Sequence, residues 1–354
     1  LLIAGKAILL QFVEEFGFIG GNTVEDIIII GGGPCGLSAA IECGRRGLKP
    51  LIIEKHNIVQ SIYLYPTNMQ FFSTAELLEI GGIPFSSPND KPFRHEALTY
   101  YRRVAAHYDL DIRPYEEADS IVKEADGTFT VHTADKRGQS RQYRAHHVVV
   151  ATGYFDHPNY LGIPGEDMDK VTHYFREAHP YTGTRVAIIG GSNSAVDAAM
   201  ELNKVGAHID MVYRGSVLSE HIKPWVRPLF ENLINKGKIT LHLNSRVTEI
   251  RPHDITVTVN DGSEFKLDND FVLAMTGFRP NRKLLESVGV RMAEDLDKPV
   301  FNPETMETNI TGVYVAGVIA SGRNANEVFI ESGRWHGKLI AEHIVQSTAS
   351  HEHP

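Results

Sequence analysis

The stretch from Glu25 to Glu54 constrains this chain more than any other. Its apolar run, Ile27 to Ile30, reads as a buried parallel strand and stops at Gly31-Gly32-Gly33-Pro34-Cys35-Gly36. An alanine-rich helix is expected over Leu37 to Arg45, and a second apolar strand, Leu51 to Ile53, closes on Glu54. Gly31-x-Gly33-x-x-Gly36 thus precedes an acid by 18 residues inside one strand–helix–strand unit. Gly31 permits the tight turn, Gly33 lets the backbone approach a pyrophosphate, and Gly36 packs helix on strand. The helix N-terminus, with Pro34 and Cys35 at its mouth, offers free N–H groups to phosphates, and Glu54 can accept from a ribose hydroxyl. Glycines alone are a weak signal. Strand, glycines, helix, second strand and acid in register specify a dinucleotide site, with Lys55 placed beside it.

A second unit begins at Arg185, RVAIIGGSNSAVDAAMELNKVGAHIDMVYRG. Its turn is Gly190-Gly191-Ser192-Asn193-Ser194-Ala195, with Ala195 as the small residue that replaces a third glycine. The following strand ends on Arg214 where an acid would bind a 2′-hydroxyl and repel a 2′-phosphate. Arg214, with Lys223 and Arg227 nearby, favours the phosphate and therefore NADPH; the alternative for Arg214 is a solvated surface cation. Strand HHVVV, His146 to Val150, is followed by Ala151-Thr152-Gly153, and Thr276-Gly277 repeats that ending in the second unit. Thr152 and Gly153 are placed at the first cofactor. A final strand near Val313 is expected to return to the first sheet.

The fold class is therefore α/β, with two Rossmann-like dinucleotide-binding domains, the second inserted in the first. The boundaries read as an extension over 1–24, an FAD-binding domain over 25–158 and 300–354, and an NADPH-binding domain over 159–299. Two dinucleotide sites in one chain imply two cofactors that exchange electrons, a resident flavin and an exchangeable nicotinamide. The long loop between Glu54 and residue 90 mixes Tyr63, Tyr65, Phe71 and Phe72 with Pro66, Asn68 and Ser73. Tyr63 and Asn68 are expected against a flat cofactor ring, the alternative being an ordinary packed loop.

Composition narrows the function. A net charge of −9 over 354 residues argues against a general nucleic-acid surface. Two cysteines, Cys35 and Cys43, cannot build a disulfide framework, which fits the cytoplasm. Eight residues apart on one helix, they stand roughly 12 Å from each other, too far to bridge. Among 17 histidines no H-E-x-x-H spacing occurs, and no metal is implied. Residues 1–22 are apolar but interrupted by Lys6, Glu14 and Glu15. They read as a packing or surface helix, or as sequence carried in from outside the protein, rather than as a membrane span.

From Glu25 to the C-terminal helix the chain resembles the flavoprotein disulfide reductases of the low-molecular-weight thioredoxin reductase type. Those enzymes carry Cys-x-x-Cys just before the second glycine turn, where this chain reads VTHYFREAHPYTGTRVAIIGG. The segments GGGPCGLSAAIE, QSIYLYPTNMQFFS, HYFREAHPY, IIGGSNSAVDAA and YVAGVIASGRNANEVFIESGRWHG are similar instead to the YpdA-type bacillithiol disulfide reductases. That resemblance implies an FAD-containing, NADPH-dependent cytoplasmic enzyme, expected as a homo-oligomer, that acts on a low-molecular-weight disulfide. It places Gly317 at the flavin, with Val318 where the thioredoxin reductase type has an aspartate. It also makes Cys35 the redox thiol.

The physics of Cys35 cuts both ways. A helix N-terminus favours its thiolate, whereas a neighbouring pyrophosphate opposes it, and the alternative is a small residue packing the turn. Cys43 reads as packing. His179 and His336 are acid–base candidates weighed against structural roles, and Asn324 and Asn326 are candidate contacts to flavin or nicotinamide. The rival functions are a thiol-independent flavin reductase serving ferredoxin or another protein, a flavin monooxygenase, and a redox-sensing FAD and NADPH binder without turnover.

Overall fold

The computed structural model describes residues 23–293, 297–324 and 327–351. The reading of residues 1–22 and the candidate Asn326 lie outside them. The first sheet contains β1 (Val24–Ile30), β2 (Pro50–Glu54), β3 (Asp111–Pro114), β4 (Glu116–Lys123), β5 (Phe129–Asp135), β6 (Ser140–Val150) and β15 (Val313–Val315), in the order β3-β2-β1-β6-β5-β4. The strand β6 is longer than its apolar HHVVV core predicts, because it serves two partners on one edge. Its first half pairs antiparallel with β5, and its second half pairs parallel with the returning β15. β1 runs parallel along its other edge.

The helix α1 (Pro34–Arg45) starts three residues earlier than its alanines suggest, with Pro34 in the first turn. Proline is preset for that place and gives up an N–H that had no partner there anyway. Cys35 and Gly36 are therefore helical. Isoleucines 27 to 30 are at most 4% exposed, as a parallel strand covered on both faces requires.

The second sheet has the order β10-β9-β8-β14-β7, from β7 (Val171–Thr172), β8 (Arg185–Ile189), β9 (His208–Val212), β10 (Ile239–His242) and β14 (Phe271–Ala274). Alternate residues of β8 point to opposite cores. Val186 and Ile188 pack towards the helix α4 (Asn193–Lys204), and Ala187 and Ile189 pack towards the antiparallel sheet of β11 (Ser245–Ile250), β12 (Asp254–Val259) and β13 (Glu264–Asp268). The two dinucleotide units thus occur as read. One boundary shifts. Leu285 on the short helix α6 (Lys283–Ser287), with Val288 and Val290, joins the core of the first sheet, so the chain returns to that unit before residue 300.

The loop after β2 is not featureless. It contains the helix α2 (Gln60–Leu64) and a 3₁₀ turn, Ala75–Leu78, and leads to α3 (Arg94–His107). Val59, which opens α2, is buried and holds φ = 52°, a costly conformation for a β-branched residue. Its N–H donates to the Gly32 carbonyl at 2.9 Å and ties this loop to the glycine turn. Among the described residues no helix is long and apolar enough to cross a membrane.

The C-terminal helix α8 (His336–His351) lies against α1, and Gly337 makes the approach possible: a methyl group there would stand 2.5 Å from the Ala39 Cα. Gly337→Ala is expected to push the helices apart and to cost about 1–3 kcal/mol of stability, read from urea denaturation.

Candidate functional site

A cavity of about 1420 Å³ follows the carboxyl ends of β1, β2, β6 and β15 and continues to the carboxyl ends of β7 and β14. That is where open α/β sheets bind ligands, and the volume exceeds the roughly 300–1,000 Å³ of an ordinary small-molecule pocket. Gly31, Gly33, Pro34, Cys35, Glu54, Lys55, Asn68, Thr152, Gly153, Gly317 and Val318 all line it. The glycine turn behaves as its spacing predicts. A methyl on Gly31 (φ = 113°) would stand 2.5 Å from the Ala151 carbonyl oxygen, and one on Gly36 would stand 2.0 Å from that of Gly31. At Gly33 it would meet nothing within 4 Å, leaving that side of the turn open to a ligand.

Glu54 is 7% exposed and clamped. Its two carboxylate oxygens accept from the backbone N–H groups of Gly32 (2.6 Å) and His56 (2.8 Å). Burial raises its pKa, and the two N–H groups oppose that rise. The Thr152 hydroxyl oxygen is buried with no partner among the described residues. An open Gly33 face, a fixed carboxylate and an orphaned hydroxyl around one crevice fit the dinucleotide half of FAD. Lys55 is already paired with Glu117 at 2.8 Å.

Tyr63 does not line the cavity. The short helix α2 turns it outwards, 48% exposed, with the guanidinium groups of Arg176 and Arg94 over its ring at 4.8 and 5.3 Å. Tyr65 lines the wall instead and starts an aromatic chain through Phe155 (5.1 Å) and Phe278 (4.3 Å further) to Tyr174 (5.3 Å further). That chain joins the two units, and the Tyr174 hydroxyl adds a 2.9 Å hydrogen bond to the Phe155 carbonyl.

At the second turn Gly190 repeats Gly31: its φ is 143°, and a methyl would stand 2.4 Å from the Met275 carbonyl oxygen. Gly191 differs, because the Tyr213 ring covers it and a methyl would stand 2.3 Å from that ring. Ser192 stands at the N-cap position of α4 without a side-chain capping bond, and Asn193 and Ser194 reach the cavity wall. The Asn193 side chain holds the following loop, donating to the His221 carbonyl (2.7 Å) and accepting from the Lys223 N–H (3.1 Å). That loop redirects two of the three cations expected at a 2′-phosphate. Lys223 turns into the cavity over Phe72 (3.4 Å) with Asp197 at 3.2 Å, and burial lowers its pKa. Arg227 donates to the Ser219 carbonyl at 2.7 Å. Arg214 alone is exposed and without an ion pair among the described residues. An open helix N-terminus with one free arginine fits NADPH.

Cys35 sits among glycines. A methyl group on Gly317 would lie 3.1 Å from its sulfur, and one on Gly333 would lie 2.8 Å from it. Burial pushes the thiol pKa up to about 12, so the helix N-terminus does not prevail. Cys43 is fully buried and lines nothing. His336 is held as a neutral imidazole. Its Nδ1 accepts from the Gly317 N–H at 3.1 Å, and burial lowers its pKa to about 4. His179 is exposed and off the wall, as is Asn324, whose backbone N–H donates to Ser321. The residues that do line the wall are His173 to Ala178, the window without a dithiol. His173 lies there with Nε2 3.5 Å from Glu166 and its ring against Tyr160. The missing Cys-x-x-Cys marked this window, and nothing in its residue types singled out His173 or Arg176.

The profile of the pyridine nucleotide-disulphide oxidoreductase family matches residues 28–317. Bacilliredoxin reductase Bdr of Bacillus subtilis is 47% identical over 322 residues, 91% of this chain and 98% of that protein. The solved bacillithiol disulfide reductase Bdr (YpdA) from Bacillus cereus superposes with a TM-score of 0.89 at 47% identity, covering 92% of this chain and 100% of that one. A ferredoxin–NADP reductase of Ignicoccus hospitalis is 27% identical over 306 residues, 84% of this chain and 90% of that protein.

Two outcomes follow from the geometry. Gly33→Ala is expected to fold normally but to lose FAD, whereas Gly36→Ala loses the fold; flavin absorbance and circular dichroism separate them. His336 destabilises the native state when protonated. Stability should therefore fall as pH drops below about 6.5, and the loss should be complete near pH 4, amounting to roughly 3 kcal/mol. His336→Asn keeps an acceptor for Gly317 without titrating, and its pH–stability curve should be shallower than that of the parent over this range.

Proposed function

Because the chain belongs to the pyridine nucleotide-disulphide oxidoreductase family, we propose that it is an NADPH-dependent, FAD-containing reductase of a low-molecular-weight disulfide, most specifically bacillithiol disulfide. The observation that carries this reading is one cavity shared by both dinucleotide turns, with a cysteine on its wall. We assign FAD to Gly31, Gly33, Pro34, Cys35, Gly36, Glu54, Asn68, Thr152, Gly153, Gly317 and Val318, and NADPH to Gly190, Gly191, Ser192, Asn193, Ser194 and Arg214. Bound there, the two cofactors and one proton supply what reduces one disulfide to two thiols.

The chain's own residues prepare that event. The carboxylate of Glu54, fixed by two N–H groups, presents its remaining lone pairs to a ribose. The neutral His336 imidazole holds the Gly317 backbone at the cavity edge. The aromatic chain from Tyr65 to Tyr174 lines the cavity between the two units with apolar rings. Cys35 is the thiol we assign to exchange with the substrate, as it is the one cysteine on the wall. The reading carries with it a cytoplasmic enzyme, in keeping with two unbridged cysteines, and a homo-oligomer, which size-exclusion chromatography checks.

A second reading draws on the Cys35 environment. Burial pushes the Cys35 thiol pKa up to about 12, which keeps it protonated at neutral pH. That favours a flavin reductase that needs no protein thiol and serves an electron carrier. Cys35→Ser decides between them. Under the disulfide reading, NADPH oxidation driven by bacillithiol disulfide should fall at least about 100-fold while NADPH still bleaches the flavin. Undiminished disulfide turnover in the variant removes Cys35 from the mechanism.

A further inference from the structure

The segment that stands where thioredoxin reductases keep their dithiol brings a cation, Arg176, to the cavity wall. Most other cations on that wall are neutralised. Lys55 pairs with Glu117 at 2.8 Å, Lys204 with Glu201 at 2.5 Å, and Lys223 with Asp197 at 3.2 Å. Lys283 is unpaired among the described residues, but it is exposed on α6 against β4. Arg176 has no carboxylate within ion-pair distance among the described residues and is only partly exposed. Its guanidinium lies over the Tyr63 ring at 4.8 Å.

A second guanidinium uses the same ring. Arg94 is 7% exposed, lies 5.3 Å from the ring centroid, and donates to the carbonyls of Ile62 (3.1 Å) and Tyr63 (2.6 Å) with no carboxylate partner. Two cations therefore share one aromatic ring, and Arg94 alone adds carbonyl acceptors, which together offset only part of the cost of removing such charges from water. An incoming anion supplies what is missing, and a guanidinium facing a cavity can bind a carboxylate through two parallel hydrogen bonds. The Arg176 backbone is already fixed: its carbonyl accepts from the Thr67 N–H at 2.7 Å, and the preceding Phe175 is buried. Little ordering remains to be done on binding.

We propose that Arg176 is a specificity residue that docks a carboxylate of the disulfide substrate. The inference rests on the reductase reading and narrows it to disulfides that carry negative charge. A phosphate of the nicotinamide cofactor offers similar oxygen chemistry. The strand order favours the substrate: Arg176 follows β7 and faces the Tyr65–Phe72 loop of the first unit, while the nucleotide turn follows β8 and has its own unpaired cation in Arg214.

The test is equilibrium binding to the FAD-loaded enzyme, without NADPH, by titration calorimetry. Bacillithiol disulfide serves as the carboxylate-bearing probe and bis(2-hydroxyethyl) disulfide as the neutral one, with Arg176→Gln and Arg176→Lys as variants and flavin content as the check on folding. The expected result is a loss of affinity of about 10- to 100-fold for bacillithiol disulfide in Arg176→Gln, a smaller loss in Arg176→Lys, and a far smaller change for the neutral disulfide. Unchanged affinity for bacillithiol disulfide in Arg176→Gln, or an equal loss for the neutral probe, would overturn the assignment. Normal binding of bacillithiol disulfide by the parent enzyme without turnover would defeat the reductase reading and leave the anion site standing.

Discussion

Two backbone crossings without a side chain between them determine the architecture. At Gly31 the chain leaves β1 so close to the Ala151 carbonyl that even one methyl group would collide, and Gly190 repeats the arrangement against Met275. Both residues also hold positive φ, which a side chain rarely tolerates. Because these turns are narrow, the helices that follow begin at the carboxyl ends of their sheets with their N–H groups facing the crevice. The carboxyl ends of β6 and β15, and those of β7 and β14, then supply the remaining walls. Helix placement and the position of the shared cavity follow from that steric restriction applied twice.

The parts of the fold governed by local rules were legible in the sequence. Gly31 and Gly36 leave no room for a side chain, as their spacing implies, because a turn this tight has one packing solution, and Gly33 faces open space. The return of the last strand to the first sheet was legible as well. Tertiary contacts decided what was not. Tyr63 faces outwards because Val59 starts α2 in a left-handed conformation, and no pattern of apolar residues encodes that. Lys223 leaves the phosphate region because Asn193 captures the loop before it. His336 is neutral because burial outweighs its solution chemistry, and burial of one side chain at a helix start has no sequence signature.

The junction between the units is built from large rings, short backbone bonds and two cations laid over rings, Arg176 over Tyr63 and Lys223 over Phe72. Tyr65 and Phe155 come from the first unit, Phe278 and Tyr174 from the second, and Thr67 meets Arg176 through the main chain. Aromatic contacts of this kind are each worth about 0.5–1.5 kcal/mol beyond the area they bury. Together they hold the window without a dithiol against the first cofactor crevice. The same window contains Arg176 and His173, so polar groups, not a gap, stand at this wall.

The sulfur of Cys35 shares its space with two residues that have no side chain, Gly317 and Gly333. Gly317 is bound to glycine by its φ of 77° as well, and a methyl on Gly333 would meet not only the sulfur at 2.8 Å but also the Gly317 Cα and the Val328 side chain, each at 3.2 Å. Room for a thiol at this turn therefore depends on a vacancy contributed nearly three hundred residues downstream.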